Sequence, residues 1–370
     1  MKVLHINSYY STSKFYMNLY DKQIEQGLDI DVYVPVAQGF VENRELGNYT
    51  TVSKNHKKYD RYIFRLKQWK ILKDIKYKYD VKNYSILHAH SLFTNGYIAY
   101  KLHKKYGTPY VVAVRNTDVN LFFKKMIHLR KLGINILKYA QKIIFISPSY
   151  KKDVLNQFIP HSLKHEIDNK TQVIPNGLDD FWLQNKNNNK TINKEAIKIL
   201  HVGDVNNNKN VLTTAKVIEK MRDSGYECKF TVVGKIKNQK VYNTLLNYDF
   251  VNYISPISSK EELLKIYRSN DILVVPSIKE TFGLVYVEAM TQGLPILYTK
   301  NQGFDGHIQD GKVGYRVDPY NEYDIKIKIQ NTIKNYNYLS NNSVYYADKF
   351  NWNVINTEYT KNYKQGSIIQ

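Results

Sequence analysis

Two glutamates eight positions apart flank the part of this sequence that is best suited to bind an anion. Glu280 and Glu288 lie on either side of Gly283, in a segment that follows an apolar run ending at Pro276. The pattern predicts a strand, a short loop and then a helix that begins near Leu284. First-turn amides of a helix lack intrahelical partners and lie at the positive end of its dipole, so a diphosphate can bind there. Carboxylates on either side can accept hydrogen bonds from sugar hydroxyls, although two glutamates at this spacing are also common on solvent-facing helices.

Short apolar runs alternate with helix-length segments along the chain, which predicts an α/β fold with parallel strands. The first series of runs is 3–6, 30–34, 86–88, 110–114 and 143–146, and the second is 197–202, 230–233, 272–275 and 295–298. The polar stretch 185–190 between them predicts a linker. We therefore expect two Rossmann-like domains, 1–180 and 191–348, facing each other across a cleft, with a helix at about 350–365 packing back on the first. The carboxyl ends of the strands would line that cleft.

Composition excludes several classes of protein. With 370 residues, 43% hydrophobic and 24% charged, the chain can form two sizeable cores and is unlike a disordered protein. Its single cysteine, Cys228, excludes an intramolecular disulfide and a thiolate metal cluster. The N-terminal sequence lacks the apolar stretch of a signal peptide, and no apolar run approaches the ~18 residues of a membrane span. These features predict a cytoplasmic protein.

The net charge of +21 has three interpretations: an anionic membrane surface, nucleic acid, or an ordinary solvated surface. Between positions 57 and 82, ten lysines and arginines stand against three aspartates, with tyrosines and a tryptophan among them. A second segment, 122–131, also mixes large apolar and basic residues. Basic segments with aromatics suit the headgroup region of an anionic membrane, and no zinc-finger, RRM or helix-turn-helix signature favours nucleic acid. We expect peripheral association with the inner face of the plasma membrane.

The sequence resembles a known family over nearly its whole length, most strongly from about 197 to 316. The residues that carry the resemblance are the segment from Pro276 to Met290, His88-Ala89-His90, Ser147-Pro148-Ser149, the run from Val173 to Asp179, His201-Val202-Gly203 with Lys209, and Gly303, Asp310, Gly311 and Gly314. The pattern PSxxExFGxxxxEAMxxGxP is similar to the nucleotide-sugar site of retaining GT-B glycosyltransferases of the family 4 type, also called glycosyl transferases group 1.

The resemblance implies roles for the matching residues. Glu288 would bind the ribose hydroxyls of the nucleotide, and Glu280 the hydroxyls of the donor sugar. The diphosphate would bind at the amides around Phe282, Gly283 and Leu284, in a site that also includes Gly203 and Gly303. Lys209 would neutralise the charge that develops on the leaving diphosphate, as a fixed cation is expected to do. His90 is a further candidate for the catalytic site.

Three positions depart from the family's pattern. Asp204 stands where an arginine usually follows the first glycine of the second domain, and Ser11-Thr12-Ser13 replaces a glycine-rich first loop. Arg115 stands where a histidine usually approaches the donor sugar. Its permanent cation is consistent with binding an acidic donor sugar or an acceptor phosphate, and equally with a structural pair with Asp118.

The resemblance implies an enzyme that moves a sugar from a nucleotide-sugar, with UDP as the expected nucleotide, to a glycan or lipid-linked acceptor at the cytoplasmic membrane face. Bacterial capsule, exopolysaccharide or cell-wall polysaccharide synthesis is the expected setting. We expect the acceptor to attack from the front face of the donor sugar, and a covalent mechanism with Glu280 as nucleophile is the lesser alternative. We expect no cofactor, no obligatory metal and no nucleic-acid partner. Two other functions remain open at this point: a sugar-nucleotide epimerase of the same fold, and a non-catalytic basic protein that binds nucleic acid.

Overall fold

The computed structural model describes residues 1–13, 15–43 and 45–367, with the side chains of 365–367 excepted. The chain divides into two compact units. The first unit comprises 1–146, 150–175 and the C-terminal segment from 352 onward, and the second comprises 147–149 and 176–351.

The elements up to the end of the first sheet alternate between strand and helix. They are β1 Lys2–Ile6, α1 Phe15–Glu25, β2 Asp29–Ala37, β3 Thr50–His56, α2 Phe64–Lys78, β4 Ile86–Ala89, α3 Thr94–Tyr106, β5 Tyr110–Val114, α4 Arg130–Tyr139, β6 Lys142–Phe145, α5 Pro148–Gln157, α6 His161–Asp168 and β7 Thr171–Val173.

The second part of the chain repeats the alternation and ends in a run of helices. Its elements are α7 Asp180–Gln184, β8 Ile197–Val202, α8 Val211–Arg222, β9 Cys228–Val233, α9 Gln239–Leu245, β10 Val251–Ile254, α10 Lys260–Ser269, β11 Ile272–Val275, α11 Leu284–Thr291, β12 Ile296–Thr299, β13 Gly314–Val317, α12 Glu322–Lys334, α13 Tyr336–Ala347 and α14 Trp352–Ser367.

Each unit contains one parallel sheet, and the predicted α/β class is confirmed. The first sheet has seven strands in the order β3-β2-β1-β4-β5-β6-β7, and the second has six in the order β10-β9-β8-β11-β12-β13. The strand order reverses between β1 and β4 in one sheet and between β8 and β11 in the other. Such reversal points open a crevice at the carboxyl ends of the strands, where ligands of open α/β sheets bind.

The strands near the middle of each sheet are largely buried. Every residue of β5 and of β11 is buried, which explains their unbroken apolar sequences. The sequence patterns did not predict β3, β7, β10 or β13. All four lie at or next to a sheet edge and are only partly buried, so their sequences lack a continuous apolar run.

The C-terminal helix α14 belongs to the core of the first unit. Trp352, Ile355, Tyr359 and Tyr363 on one of its faces are buried in the hydrophobic core beside β1 and β2. Their near-helical spacing buries one side of the helix. The stretch 185–190 has no regular secondary structure, but the Asn185 carbonyl accepts hydrogen bonds from Arg268 and Gln292 of the second unit.

Candidate functional site

The anion-binding loop predicted from the sequence leads into α11. Strand β11 ends at Val275, and Gly283 forms the N-cap of α11 with φ of 81°. A Cβ on Gly283 would lie 2.3 Å from the buried Tyr286 ring, so only glycine fits here. Gly303 packs equally tightly, since a Cβ on it would lie 2.0 Å from the Thr281 carbonyl oxygen. The loop is therefore held in one conformation by two glycines.

Free backbone amides lie at this helix N-terminus. Among the described residues, the amides of Phe282, Gly283 and Leu284 donate no hydrogen bond. The Phe282 ring is buried against Phe304 and Phe350 and fixes the position of the loop. Unpartnered amides at the positive end of a helix suit a phosphate oxygen.

Lys209 and Glu280 form an ion pair in the second unit. The Lys209 Nζ lies 2.6 Å from Glu280 Oε2, although the residues are far apart in sequence. The other carboxylate oxygen of Glu280 accepts a hydrogen bond from the Thr281 amide. Gly203, which follows β8, lies against the Lys209 side chain: a Cβ on it would be 3.4 Å from Lys209 Cε. The loops after β8 and β11 thus bring the predicted cation, carboxylate and glycine together at the switch point of the second sheet.

Glu288 lies on α11 and is held by a residue that sequence reasoning missed. The Tyr267 hydroxyl donates to Glu288 Oε2 at 2.9 Å, and Tyr267 itself is fully buried on α10. Burial, with the nearby Asp179 carboxylate, raises the pKa of Glu288 to about 7, against the lowering effect of Tyr267. No motif pointed to Tyr267, because its role depends on the packing of α10 against α11.

The departure at Asp204 lies in the loop after β8. Its side chain is partly buried there, five positions before Lys209 in the same connection. Asn206 in this loop accepts a hydrogen bond from the Lys209 amide at 2.9 Å and so helps to fix the start of α8.

The other two predicted catalytic residues, His90 and Arg115, lie in the first unit. His90 is fully buried, and its Nε2 lies 3.0 Å from His5 Nδ1 and 3.3 Å from the Tyr20 hydroxyl. Arg115 is also buried and donates from Nε to the His90 carbonyl oxygen at 3.3 Å. A catalytic role for either residue stays a prediction.

Arg115 and Asp118 contact each other through the Arg115 backbone amide and not through its guanidinium. Asp118 accepts hydrogen bonds from the amides of Leu92, Phe93 and Arg115, so its carboxylate fixes two loops through the backbone. Burial raises its pKa to about 6 against these hydrogen bonds. Among the described residues, no carboxylate oxygen lies within 4.0 Å of the Arg115 guanidinium.

Three buried histidines are the residues that come nearest to a metal-ligand set in the described part of the chain. His5, His88 and His90 place ring nitrogens within 4.8 Å of one another, and burial lowers the pKa of all three. The His88 and His90 rings stack at 4.0 Å with an interplanar angle of 27°. His5 Nδ1 lies 3.0 Å from His90 Nε2, and His88 Nδ1 lies 2.6 Å from the Tyr363 hydroxyl, so these ring nitrogens already have hydrogen-bond partners in the core.

The aromatic rings of the first basic segment are exposed, whereas those of the second are buried. Tyr59, Tyr62, Trp69 and Tyr77 are all more than half exposed. In the segment 122–131, Phe122 and Phe123 are buried, whereas Ile127 and the lysines 124, 125 and 131 are exposed, so its two aromatic rings are not available to a membrane surface. The rings stack within the core, Phe122 on Phe93 and Phe123 on Phe158. Among the described residues, no helix has the length and apolar character needed to cross a bilayer.

Both halves of the chain match family models. Residues 12–180 match the model described as Glycosyltransferase Family 4, and residues 184–350 match that of Glycosyl transferases group 1.

Relatives and solved structures agree with these matches. The chain is 26% identical over 95% of both chains to an uncharacterized glycosyltransferase of Methanocaldococcus jannaschii. It is 24% identical to a D-inositol 3-phosphate glycosyltransferase of Paenarthrobacter aurescens, over 65% of this chain and 62% of that one. Its fold resembles sucrose-phosphate synthase from Thermosynechococcus elongatus (TM-score 0.76, 16% identity, 99% and 98% covered). It also resembles Anabaena HepE in complex with UDP (TM-score 0.70, 15% identity, 99% and 100% covered).

Proposed function

Because the chain belongs to the family 4 type of GT-B glycosyltransferases, we propose that it transfers a sugar from a UDP-sugar to a glycan or lipid-linked acceptor with retention of anomeric configuration. The observation that carries this proposal is the group formed by Lys209, Glu280 and the free amides before α11. UDP is the proposed nucleotide because HepE, which has the same fold, was crystallised with UDP and with UDP-glucose.

The proposed chemistry follows from the charges in the second unit. The bond between the sugar anomeric carbon and the diphosphate breaks, and the negative charge that develops on the diphosphate is stabilised by the Lys209 ammonium and the free amides. The acceptor hydroxyl attacks the anomeric carbon from the same face and transfers its proton to the leaving phosphate oxygen. The Lys209 ammonium and the amide dipoles supply the positive charge that a metal ion would otherwise provide, and we propose that no metal is required.

Glu280 is better placed to position Lys209 than to attack the sugar. One of its oxygens contacts the Lys209 ammonium and the Ser277 hydroxyl, and the other accepts from the Thr281 amide. A carboxylate that already accepts hydrogen bonds on both oxygens is a weak nucleophile. This supports front-face attack over a covalent intermediate on Glu280.

The proposed place of action is the inner membrane face, in the synthesis of a bacterial capsule, exopolysaccharide or cell-wall polysaccharide. Leu66, Trp69, Lys73 and Tyr77 recur at helical spacing along α2, Tyr62 lies just before it, and all are exposed. A stripe of this kind, surrounded by lysines and arginines, suits the headgroup region of anionic lipids. A lipid-linked acceptor would be available at that surface.

The test is binding of UDP, GDP, ADP and CMP, each alone and as common sugar conjugates, followed by transfer assays with the donor that binds. A ligand at 100 times its dissociation constant stabilises the folded state by about 2.7 kcal/mol, which a thermal shift detects. We expect UDP and one UDP-sugar to bind, and Glu288→Ala to abolish binding with the fold intact. The NMR coupling constant of the product's anomeric proton then reports retention. Absence of binding by all four nucleotides would refute the proposal, and an inverted product would refute the retaining mechanism alone.

A further inference from the structure

A cavity of about 570 Å³ opens in the first unit, at the carboxyl edge of its sheet. Its lining comes from the segments that follow β1, β2, β3 and β4, together with α2. This edge contains the switch point of the first sheet, where ligands of open α/β sheets bind. The donor residues Lys209, Glu280 and Glu288 all belong to the second unit and do not line it.

Positive charge dominates the lining of this cavity. Lys58 and Lys67 line it together with His56, whose lowered pKa of about 4 leaves it neutral, and no carboxylate does. Within the described part of the chain, neither lysine ammonium forms a hydrogen bond or an ion pair. The nearby Asp60 is already engaged, with Lys70 Nζ at 2.7 Å and the Lys57 amide at 2.7 Å. Among the described residues, the two cations that face the cavity therefore have no carboxylate within 4.0 Å.

Lys67 is the more informative of the two. Its side chain is partly buried on α2, whereas Lys58 is exposed. Burial lowers the pKa of Lys67 against the opposing effect of the Asp60 charge, and burial together with the Lys67 charge lowers the pKa of His56. A lysine that has lost hydration without gaining a counter-ion is stabilised when an anion binds beside it.

Hydroxyl groups lie next to these cations. Ser8, Ser11 and Thr94 line the same cavity, and Phe40 adds an aromatic ring. The Ser11 hydroxyl donates to the Ser8 carbonyl oxygen, but the Ser8 hydroxyl has no partner among the described residues. Cations beside small hydroxyls suit a phosphate group attached to a polyol or sugar.

We propose that this cavity binds a phosphate group carried by the acceptor, with Lys58 and Lys67 as its cationic ligands and Ser8 as a hydrogen-bond donor. The inference rests on the proposed function, since only a transferase has an acceptor. It adds that the acceptor is an anion, either a soluble sugar phosphate or the phosphate next to the first sugar of a lipid-linked glycan. The segment Ser11-Thr12-Ser13 would then replace a glycine-rich loop with hydroxyl donors.

The test measures acceptor-side binding by calorimetry, with UDP present at saturation so that the donor site is filled. The probes are glucose 6-phosphate against glucose, and a polyprenyl-diphosphate-linked sugar in detergent against the same detergent alone. A lost charge-assisted hydrogen bond should weaken phosphate binding about tenfold or more in Lys67→Met. Lys67→Arg should retain binding, and Lys152→Met, which removes an exposed lysine on α5, should leave it unchanged. The probe that binds identifies the source of the phosphate.

The outcomes separate this proposal from the proposed function. If nucleotides bind but phosphate binding is absent, or equal in wild type and Lys67→Met, the acceptor subsite is refuted and the proposed function stands. If glucose 6-phosphate binds in a Lys67-dependent way while no nucleotide binds, the proposed function is refuted and the anion site is retained. Acceptor KM should rise in Lys67→Met while UDP affinity stays at the wild-type value, which a general folding defect would not produce.

Discussion

The pair formed by Lys209 and Glu280 is the most informative contact at the level of single residues. A buried or partly buried carboxylate beside an ammonium fixes the position of that ammonium before a ligand arrives. An ammonium has three donors, so Lys209 can contact Glu280 and a phosphate oxygen at once. We propose that Lys209, held in this way, binds the diphosphate without the second cation that the family pattern places at position 204, where this chain has Asp204.

Replacement of Lys209 tests that assignment. We expect Lys209→Ala to lower kcat by about 100-fold or more, since removal of one preorganised donor to a developing anion has an effect of this size. Steady-state kinetics with the donor identified by the binding panel measure it. The matched control is Lys216→Ala, which removes an exposed lysine on α8 in the same unit. Equal rates for the two variants would contradict the assigned role.

The raised pKa of Glu288 predicts a pH dependence of nucleotide binding. Its carboxyl is ionised above about pH 7 and protonated below, and the ionised form accepts hydrogen bonds from ribose hydroxyls more strongly. UDP affinity should therefore fall as pH decreases through about 7. Tyr267→Phe removes the hydrogen bond that lowers this pKa and should move the transition to higher pH.

Calorimetry from pH 6 to 8.5 checks this, with Glu288→Gln as the control because an amide does not titrate over that range. The terminal phosphate of UDP itself titrates near pH 6, so the difference between wild type and Glu288→Gln isolates the carboxyl. The raised pKa also affects stability. The folded state holds the Glu288 proton more tightly than the unfolded state, so the free energy of unfolding falls as pH rises towards about 7 and is lowest above it. A wild-type profile that coincides with that of Glu288→Gln would contradict the prediction.

Among the elements, α11 depends most on a single backbone conformation. Gly283 has φ of 81°, and the Tyr286 ring that its Cβ would meet cannot move freely, since Tyr286 is buried and its hydroxyl donates to the Val275 carbonyl oxygen. The orientation of the free amides of Phe282, Gly283 and Leu284 depends on this fixed turn. Any side chain at 283 would displace either the loop or the ring.

Gly283→Ala and Gly311→Ala form a matched pair for this point. Both glycines have φ near 80°, but a Cβ on Gly311 would meet its nearest atom at 3.5 Å, an ordinary contact. We expect Gly311→Ala to lower the free energy of unfolding by about 1 to 2 kcal/mol through backbone strain alone. Gly283→Ala should cost roughly 1 to 3 kcal/mol more because of the clash, and should also weaken UDP binding. Urea denaturation measures both, and equal losses would show that the Tyr286 contact is unimportant.

The whole molecule combines a net charge of +21 with an exposed aromatic stripe on α2. Charge alone attracts any anionic surface, but the aromatic rings add an apolar contribution that salt does not screen. The two contributions can be separated by experiment. An apolar contribution that persists at high salt would indicate a membrane-binding surface rather than an ordinary solvated one.

Co-sedimentation with vesicles tests membrane binding of the whole chain. We expect binding to vesicles that contain anionic lipid, weaker binding at high salt, and no binding to neutral vesicles. Trp69→Ala combined with Tyr77→Ala should reduce binding several-fold, in the range expected for lost interfacial burial. Tyr345→Ala is the control, because Tyr345 is 71% exposed but lies in the second unit. Equal binding by both variants would show that α2 is not the contact surface.

Sequence patterns were sufficient to predict the fold class, the central strands and the loop from Pro276 to Glu288. These features are local: an apolar run, a glycine and a helix start lie within a few residues, so their pattern is visible without knowledge of distant contacts. The edge strands β3, β7, β10 and β13 escaped because they bury too few side chains to show an apolar run.

Which side chains contact one another depends on the three-dimensional fold. Lys209 reaches Glu280 across 71 positions of sequence, and Tyr267 reaches Glu288 from a different helix. The cavity with Lys58 and Lys67 is assembled from segments after four strands, and His90 and Arg115 are both buried. These contacts follow from strand order and helix packing. No local sequence pattern encodes the strand order or the helix packing, because both depend on the summed burial of residues that are distant in sequence.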